Sequence, residues 1–290
     1  MNTDVLGSID LHTHTIVSDG TLQPRELVGL AYQSGLAAVA VTDHDTVDGL
    51  PEALSEGKNI GLKVIPGVEI SVRFQGELHL LGYFSETSFT EIEAELKILR
   101  KHREERNPLI LERLHTIGID ISMENVEKES AGQIIGRLHI ARALVAAKYV
   151  KDIDEAFQRY LSIGMSAYVG KEKLSPEDGM RLIADCGGVP VLAHPCLTFD
   201  TLPAAADFVH EYKHLGLRGI EAYYPGNSGE QTTFYIDLAR ENGLLVTGGT
   251  DFHGSNRKGI ELGVGGGGFF VPGSLLIDLE KAIESIGKGY

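Results

Sequence analysis

"IDLHTHTIVSDG", residues 9–20, sets two histidines, His12 and His14, around a single threonine at the end of an apolar segment. In a strand, residues i and i+2 point the same way, so both imidazoles converge on one place. Two neutral imidazoles side by side bind a metal well, and a core strand has little other use for them. Asp19, next to Gly20, adds a carboxylate on the turn that follows. The fold then depends on whether other strands end in the same way.

Working outward, apolar segments recur at 6–11, AAVAVT (37–42), LKVIPGV (62–68) and ELHLLGY (77–83). They return at GVPVLA (188–193), LRGIEAYY (217–224) and GLLVTGG (243–249), with amphipathic runs such as QPRELVGLAYQSG between several of them. Strand, helix and glycine-marked turn in alternation predict parallel βα units. About seven such units predict an α/β chain closed or nearly closed into a barrel. An open doubly wound sheet is the alternative, but no GxGxxG follows the first strand.

Residues 96–165 break the rhythm, being charged and helical without a convincing strand; 1–95 and 166–290 are left to form the barrel. In the insertion the stripe Ile92, Leu96, Leu99 runs on to Arg103, Arg106 and Ile110 at helical spacing. Two inward arginines need an anion, supplied either by a ligand or by glutamates such as Glu91, Glu104 and Glu105. Pro108 is expected to kink or restart the helix.

With 42% hydrophobic residues in 290, the chain can fill one large core. A formal charge of -15 argues against a broad nucleic-acid surface, although bound divalent ions reverse the local field. Cys186 and Cys196 form no CxxC and no disulfide framework, and no stretch approaches a membrane span, so a reducing cytoplasm is expected.

Ligand-type residues recur at the strand ends, and His79 lies inside ELHLLGY, on one face with Glu77 and Leu81. AVAVTDHD supplies His44, VIPGVE Glu69, ELHLLGY His79, VPVLAHP His194, and LLVTGGTDFHG the pair Asp251 and His253. With His12, His14 and Asp19 these make nine ligands, too many for one ion; two or three divalent ions are implied, with a carboxylate to bridge them. Asp43, Asp45 and Asp48 read as loop and capping residues. His102, His115, His139, His210 and His214 read as solvated or structural.

The motifs DLHTHTIVSDG, AVTDHD, GVE, HLLGY, VLAHP and GTDFHG, in that order, resemble those of the PHP (polymerase and histidinol phosphatase) phosphoesterases. The resemblance implies a distorted, TIM-like (β/α)7 barrel around a trinuclear site, commonly manganese, with iron or zinc as alternatives. One ion would take His12, His14, Glu69 and Asp251, a second Asp19, His44 and His253, and a third His79, His194 and the bridging Glu69. The insertion, with KHREERN and GRLHIARAL, resembles that of the 3',5'-nucleotide bisphosphatases and related 5'-to-3' exoribonucleases, whose insertion arginines hold a substrate phosphate. That implies substrate binding by Arg103 and Arg106, with Asn107 and Arg137, beside Asp19, His44 and His253. Catalytic roles are implied for Asp19, His44, His194 and His253. Gly170 and Asn227 depart from the pattern, where proline and histidine are common.

The activity implied is hydrolysis of the 3'-phosphate of nucleoside 3',5'-bisphosphates to a 5'-mononucleotide and phosphate. The alternative is 5'-to-3' exoribonuclease action on 5'-phosphorylated RNA or short oligonucleotides. A metal-dependent amidohydrolase would usually carry a bridging lysine where Glu69 stands. An inactive metal-binding subunit would have lost ligands, and all nine are here. The expected partner is thus a phosphorylated nucleotide or short RNA, with no membrane and no particular protein partner.

Overall fold

A computed structural model describes residues 7–130, 135–170, 174–266 and 268–286, without the side chains of residues 102–104. The chain divides into two compact units, Met1–Ala94 with Leu174–Tyr290, and Glu95–Lys173. In the first, seven strands follow chain order around one sheet: β1 (Ile9–Asp10), β2 (Ala38–Val41), β3 (Lys63–Phe74), β4 (Gly76–Tyr83), β5 (Val189–Leu192), β6 (Gly219–Tyr223) and β7 (Leu245–Gly248). Past the regular strands the chain joins first to last, through Leu11 N to Gly248 O (3.1 Å) and His14 N to Phe252 O (2.9 Å). The result is a nearly closed seven-stranded α/β barrel.

The early units are as the pattern predicts: α1 (Pro24–Gln33) and α2 (Leu50–Ile60) connect parallel β1, β2 and β3. The expectation of parallel units throughout fails at β4. It pairs antiparallel with both β3 and β5. Only Gln75 separates β3 from β4, whereas a parallel crossover needs a dozen residues or more. Gly76, at φ 102°, takes a conformation that L side chains rarely adopt and lets the chain reverse.

The hairpin also places His79. Glu69 lies opposite Leu81, and Ser71 opposite His79, so Glu69, His79 and Leu81 share a face. Leu81 and Tyr83 continue that face into a core with Ile9, Leu11, Ile65, Val189 and Val191.

The second unit is helical: most of α3 (Glu93–Thr116), then α4 (Met123–Ser130), α5 (Arg137–Ala146), α6 (Ile153–Ala156) and a π-helical turn at Phe157–Leu161. Helix α3 does not restart at Pro108 but runs through it, forgoing one backbone donor. The unit ends at Lys173 rather than 165, because Ala167 and Val169 belong to its own apolar core, with Ile110, Leu114, Ile140, Leu144 and Leu161. The barrel resumes with α7 (Pro176–Asp185), α8 (Pro195–Thr198), α9 (Leu202–Tyr212), α10 (Gly229–Glu241) and α11 (Leu275–Ile286). Ser175, Thr201 and Ser228 cap α7, α9 and α10 by accepting from backbone N–H groups of the first turn.

Candidate metal centre

All nine ligand-type residues lie in the barrel unit. His12 and His14 stand just beyond β1, where the regular strand has stopped. Their Nε2 atoms approach to 3.1 Å. Gly249 makes this possible, because a Cβ there would lie 2.4 Å from His12 N and 2.5 Å from His12 Cβ. Beyond their strands, His194 (φ 25°) and Asp251 (φ 54°) adopt left-handed backbone, as does Asp45 (φ 53°) beside His44. Such strain persists only where the surroundings impose it, and it gathers at functional sites.

Glu69 is the centre of the arrangement. Its Oε1 faces His79 Nδ1 at 2.7 Å and His194 Nε2 at 2.9 Å. Its Oε2 faces His44 Nδ1 (3.1 Å), His14 Nε2 (3.2 Å) and His12 Nε2 (3.3 Å). One carboxylate thus presents each oxygen to a separate set of imidazoles, as a bridging ligand does. Asp251 Oδ1 closes on His12 and His14, 3.5 and 3.3 Å from their Nε2 atoms. Asp19 faces His253 Nε2 (3.2 Å), His44 Nε2 (3.7 Å) and His14 Nδ1 (3.7 Å).

Three sets of donor atoms are close enough to share an ion: His12, His14, Glu69 and Asp251; His14, Asp19, His44 and His253; and His44, Glu69 and His79. The second includes His14 beyond the implied ligands. The third has His44 where the resemblance implies His194, which instead meets the same Glu69 oxygen as His79.

The donors fit a cation. His44 Nδ1, His194 Nδ1 and Asp251 Oδ1 are buried and have no hydrogen-bond partner. The His12 and His14 Nε2 atoms, aimed at each other, cannot both keep lone pairs there without a positive charge between them. Burial alone would raise the carboxyl pKa values, yet His44, His79 and His12 hold Glu69 well below the usual range. For Asp251 the opposing groups are His12, His253 and His14, with the same result. Burial disfavours a charged His14, but Asp251, Glu69 and Asp19 outweigh it and push its pKa up to about 10. For His44 burial wins over Glu69 and Asp19, leaving it at about 3. A cluster this dependent on charge balance suits divalent ions.

Three acidic residues outside the nine hold the ligands. Glu221 is fully buried on β6; its Oε1 and Oε2 accept from His12 Nδ1 (3.0 and 3.2 Å), and Oε2 also accepts from His194 N (2.7 Å). This fixes the His12 tautomer and leaves Nε2 its lone pair. Asp43 accepts from Thr15 N, Thr15 Oγ1 and Ser18 Oγ (2.7, 2.6 and 2.6 Å), pinning the loop that carries Asp19. Asp10 ties Thr250 N (2.9 Å) and Gly263 N (2.9 Å) to β1. The sequence signal for Glu221 is a lone acid inside the apolar IEAYY. Asp43 was read as a loop residue, and it does hold a loop.

A model of the PHP domain matches residues 10–169, more than half of the chain. The chain belongs to the PHP family. It is 33% identical over 245 residues to a 5'-3' exoribonuclease of Haemophilus influenzae, covering 84% of this chain and 89% of that one. It is 31% identical over 260 residues to a 3',5'-nucleoside bisphosphate phosphatase of Chromobacterium violaceum, covering 89% and 91%. Among solved structures, a candidate metal-dependent phosphoesterase from Bifidobacterium adolescentis superposes with a TM-score of 0.80 at 30% identity, over 96% of each chain. This PHP protein is accordingly a metal-dependent phosphoesterase.

In the helical unit of the PHP chain, Arg106 and Asn107 are buried; Arg106 Nη2 donates to Asn107 Oδ1 (3.0 Å), and Asn107 Nδ2 to Ile135 O (2.8 Å). Arg137 donates to Leu161 O (3.1 Å) and lies over the Phe157 and Tyr168 rings. The Arg103 side chain lies outside the described residues. His139 is buried and structural: its Nδ1 accepts from Gly136 N (3.0 Å) at the start of α5. Asn227 donates to Ala222 O (2.8 Å), bracing the turn after β6. Among the described residues no helix is long and apolar enough to cross a membrane.

Proposed function

We propose that this phosphoesterase removes the 3'-phosphate of nucleoside 3',5'-bisphosphates, giving a 5'-mononucleotide and phosphate. The observation that carries the reading is the divided Glu69 carboxylate, whose oxygens face two imidazole sets in a cluster of nine ligands. The bisphosphate phosphatase of Chromobacterium violaceum, similar over nine-tenths of both chains, supports the substrate. Manganese is the preferred metal over Fe²⁺ or Zn²⁺, two or three ions per chain, because the donors mix imidazole with carboxylate and include no thiolate. The nearby Cys196 is kept neutral by burial, which pushes its pKa up to about 11.

His12, His14, Asp19, His44, Glu69, His79, His194, Asp251 and His253 would hold the ions, whose chemistry when bound would be to neutralise the phosphate's non-bridging oxygens and to lower the pKa of a water toward neutrality. Asp19, His44 and His253, whose side chains are partly exposed, would meet the substrate. His253 Nδ1 is committed to Asp251 O at 2.8 Å, whereas His194 Nδ1 has no hydrogen-bond partner. We therefore assign proton transfer at the leaving oxygen to His194. Arg103 and Arg106, with Asn107 and Arg137 in support, would recognise the second phosphate through the planar guanidinium fork. Replacing Arg103 with alanine should then raise KM for a bisphosphate by about 30-fold, on the order of 2 kcal/mol, and leave an aryl phosphate unaffected. Equal effects on both substrates would return Arg103 to a structural role. The two free cysteines suit a cytoplasmic location.

The second reading, a 5'-to-3' exoribonuclease, is favoured by the Haemophilus influenzae relative. Both substrates carry a 5'-phosphate one nucleoside away from a scissile 3'-linkage. The net charge of -15 favours the small molecule or a short oligonucleotide. The test is protein reconstituted with Mn²⁺ and given 3',5'-bisphosphoadenosine and a 5'-phosphorylated RNA in parallel. AMP and phosphate from the first alone establish the phosphatase. Stepwise mononucleotide release from the second establishes the exoribonuclease, and turnover of neither overturns both.

A further inference from the structure

Asp251 enters the cluster with its two oxygens in different situations. Oδ1 is buried and accepts no hydrogen bond, and it lies 3.3–3.5 Å from His14 Nε2, His253 Nδ1 and His12 Nε2. Oδ2 is taken: Arg257 Nη1 donates to it at 2.5 Å, and Tyr224 Oη lies 3.4 Å away. The same Nη1 donates to the Asp251 carbonyl (3.2 Å), and Nη2 donates to Tyr224 Oη. The guanidinium also lies over the Tyr224 ring, 5.3 Å from its centroid. Arg257 is thus gripped on two sides, by a carboxylate and by a buried tyrosine.

We propose that Arg257 is a positioning residue that restricts Asp251 to one ligand oxygen. A carboxylate with both oxygens free can swing or chelate through both. Here one is held by a charge-assisted bond, so only Oδ1 is offered to the cation. The bond to the Asp251 carbonyl also helps hold the left-handed backbone at φ 54° that aims this side chain. Arginine suits the task because one planar group serves Oδ2, the carbonyl and the tyrosine hydroxyl together, which a lysine ammonium cannot reproduce. The Arg257 side chain is only 30% exposed, so most of it is committed to this framework. The inference rests on the metal-centre reading but not on the choice of substrate.

The experiment is a titration of metal-free protein with Mn²⁺ and no substrate present, followed by calorimetry and by the electron paramagnetic resonance of the bound ion. It compares wild type, Arg257→Met, Arg257→Lys and Tyr224→Phe. Arg257→Met should weaken the Mn²⁺ step that involves Asp251 by about 10-fold or more and change its spectrum. Lysine should restore part of this loss, and Tyr224→Phe should give a smaller change in the same direction. In turnover, kcat should fall while KM stays near wild type. Unchanged Mn²⁺ affinity with a raised KM would overturn the proposal and make Arg257 a substrate contact. Unchanged affinity and kinetics would overturn it as well. Should Arg257→Met fail to fold, Tyr224→Phe decides alone: unaltered Mn²⁺ binding overturns the positioning role.

Discussion

Glu221 uses three acceptor contacts on two ligands, His12 Nδ1 twice and the His194 backbone N–H once. A glutamine whose oxygen takes the place of Oε2 still accepts from His194 N, but its amide NH2 then replaces the Oε1 acceptor 3.0 Å from His12 Nδ1, a donor facing a donor that disfavours the tautomer with a free Nε2 lone pair. Glu221→Gln should therefore weaken metal affinity by about 10- to 100-fold, with the fold intact by circular dichroism. Metal content after gel filtration checks this, and full occupancy would reduce Glu221 to a packing residue. The charge state of His14 gives a second expectation. Burial opposes its imidazolium, but Asp251, Glu69 and Asp19 raise its pKa to about 10, so the metal-free site is protonated at pH 7. Only the neutral ring can ligate, so binding must expel that proton, and affinity falls as pH drops by about tenfold per unit for each proton released. Calorimetry in buffers of different ionisation enthalpy counts the protons; zero release would mean that His14 is no ligand. The nine ligand-type residues were legible because the pairs HxH and DxH, with His44 and His194, stand where apolar segments end, and Asp19, Glu69 and His79 interrupt or follow such segments. Glu221 and Arg257 were not, because each touches the cluster only after β6 and the loop beyond β7 have been brought beside it.

At the scale of elements, periodicity identified the strands but not their directions. ELHLLGY reads the same whether it runs up or down, and what reverses it is the single-residue connection between Phe74 and Gly76. That reversal accounts for His79, which lies inside its strand rather than at its end and still reaches Glu69. The restart offered as one outcome at Pro108 did not occur for the opposite reason: a local rule meets a helix anchored on both sides by buried Leu96, Leu99, Ile110 and Leu114. The contact of the β7 end with the β1 end leaves no room for a side chain. At Gly249 an added Cβ meets His12 N and Cβ at 2.4 and 2.5 Å, and the His12 backbone cannot retreat without moving its ring. Gly249→Ala should cost about 1–3 kcal/mol, lowering Tm by several degrees, and should lose metal binding disproportionately. Gly29→Ala, where nothing lies within 4 Å of the new atom, is the control and should bind metal normally. Normal metal binding by Gly249→Ala would show that the β1 end can shift without carrying His12 away.

At the scale of the whole molecule, the two units differ in what they need from a metal. The helical unit has an apolar core of its own, including Val126, Ile140, Leu144 and Leu161, and supplies none of the nine ligand-type residues. The barrel carries buried Glu69 and Asp251 among six buried or half-buried imidazole partners, an arrangement that gains stability from a bound cation by mass action. At free metal 100 times the dissociation constant that gain is about 2.7 kcal/mol, or about 100-fold in the opening equilibrium. Hydrogen exchange with and without Mn²⁺ should therefore show the slowest amides of β2, β3, β5 and β7 protected further by up to that factor. The amides of α5 should exchange at unchanged rates, since their protection comes from apolar burial and helix hydrogen bonds. Slowing in both units alike would mean that they open as one cooperative body. Slowing in neither would mean that the cluster binds no metal under these conditions, and the phosphoesterase chemistry argued from it would lose its physical basis.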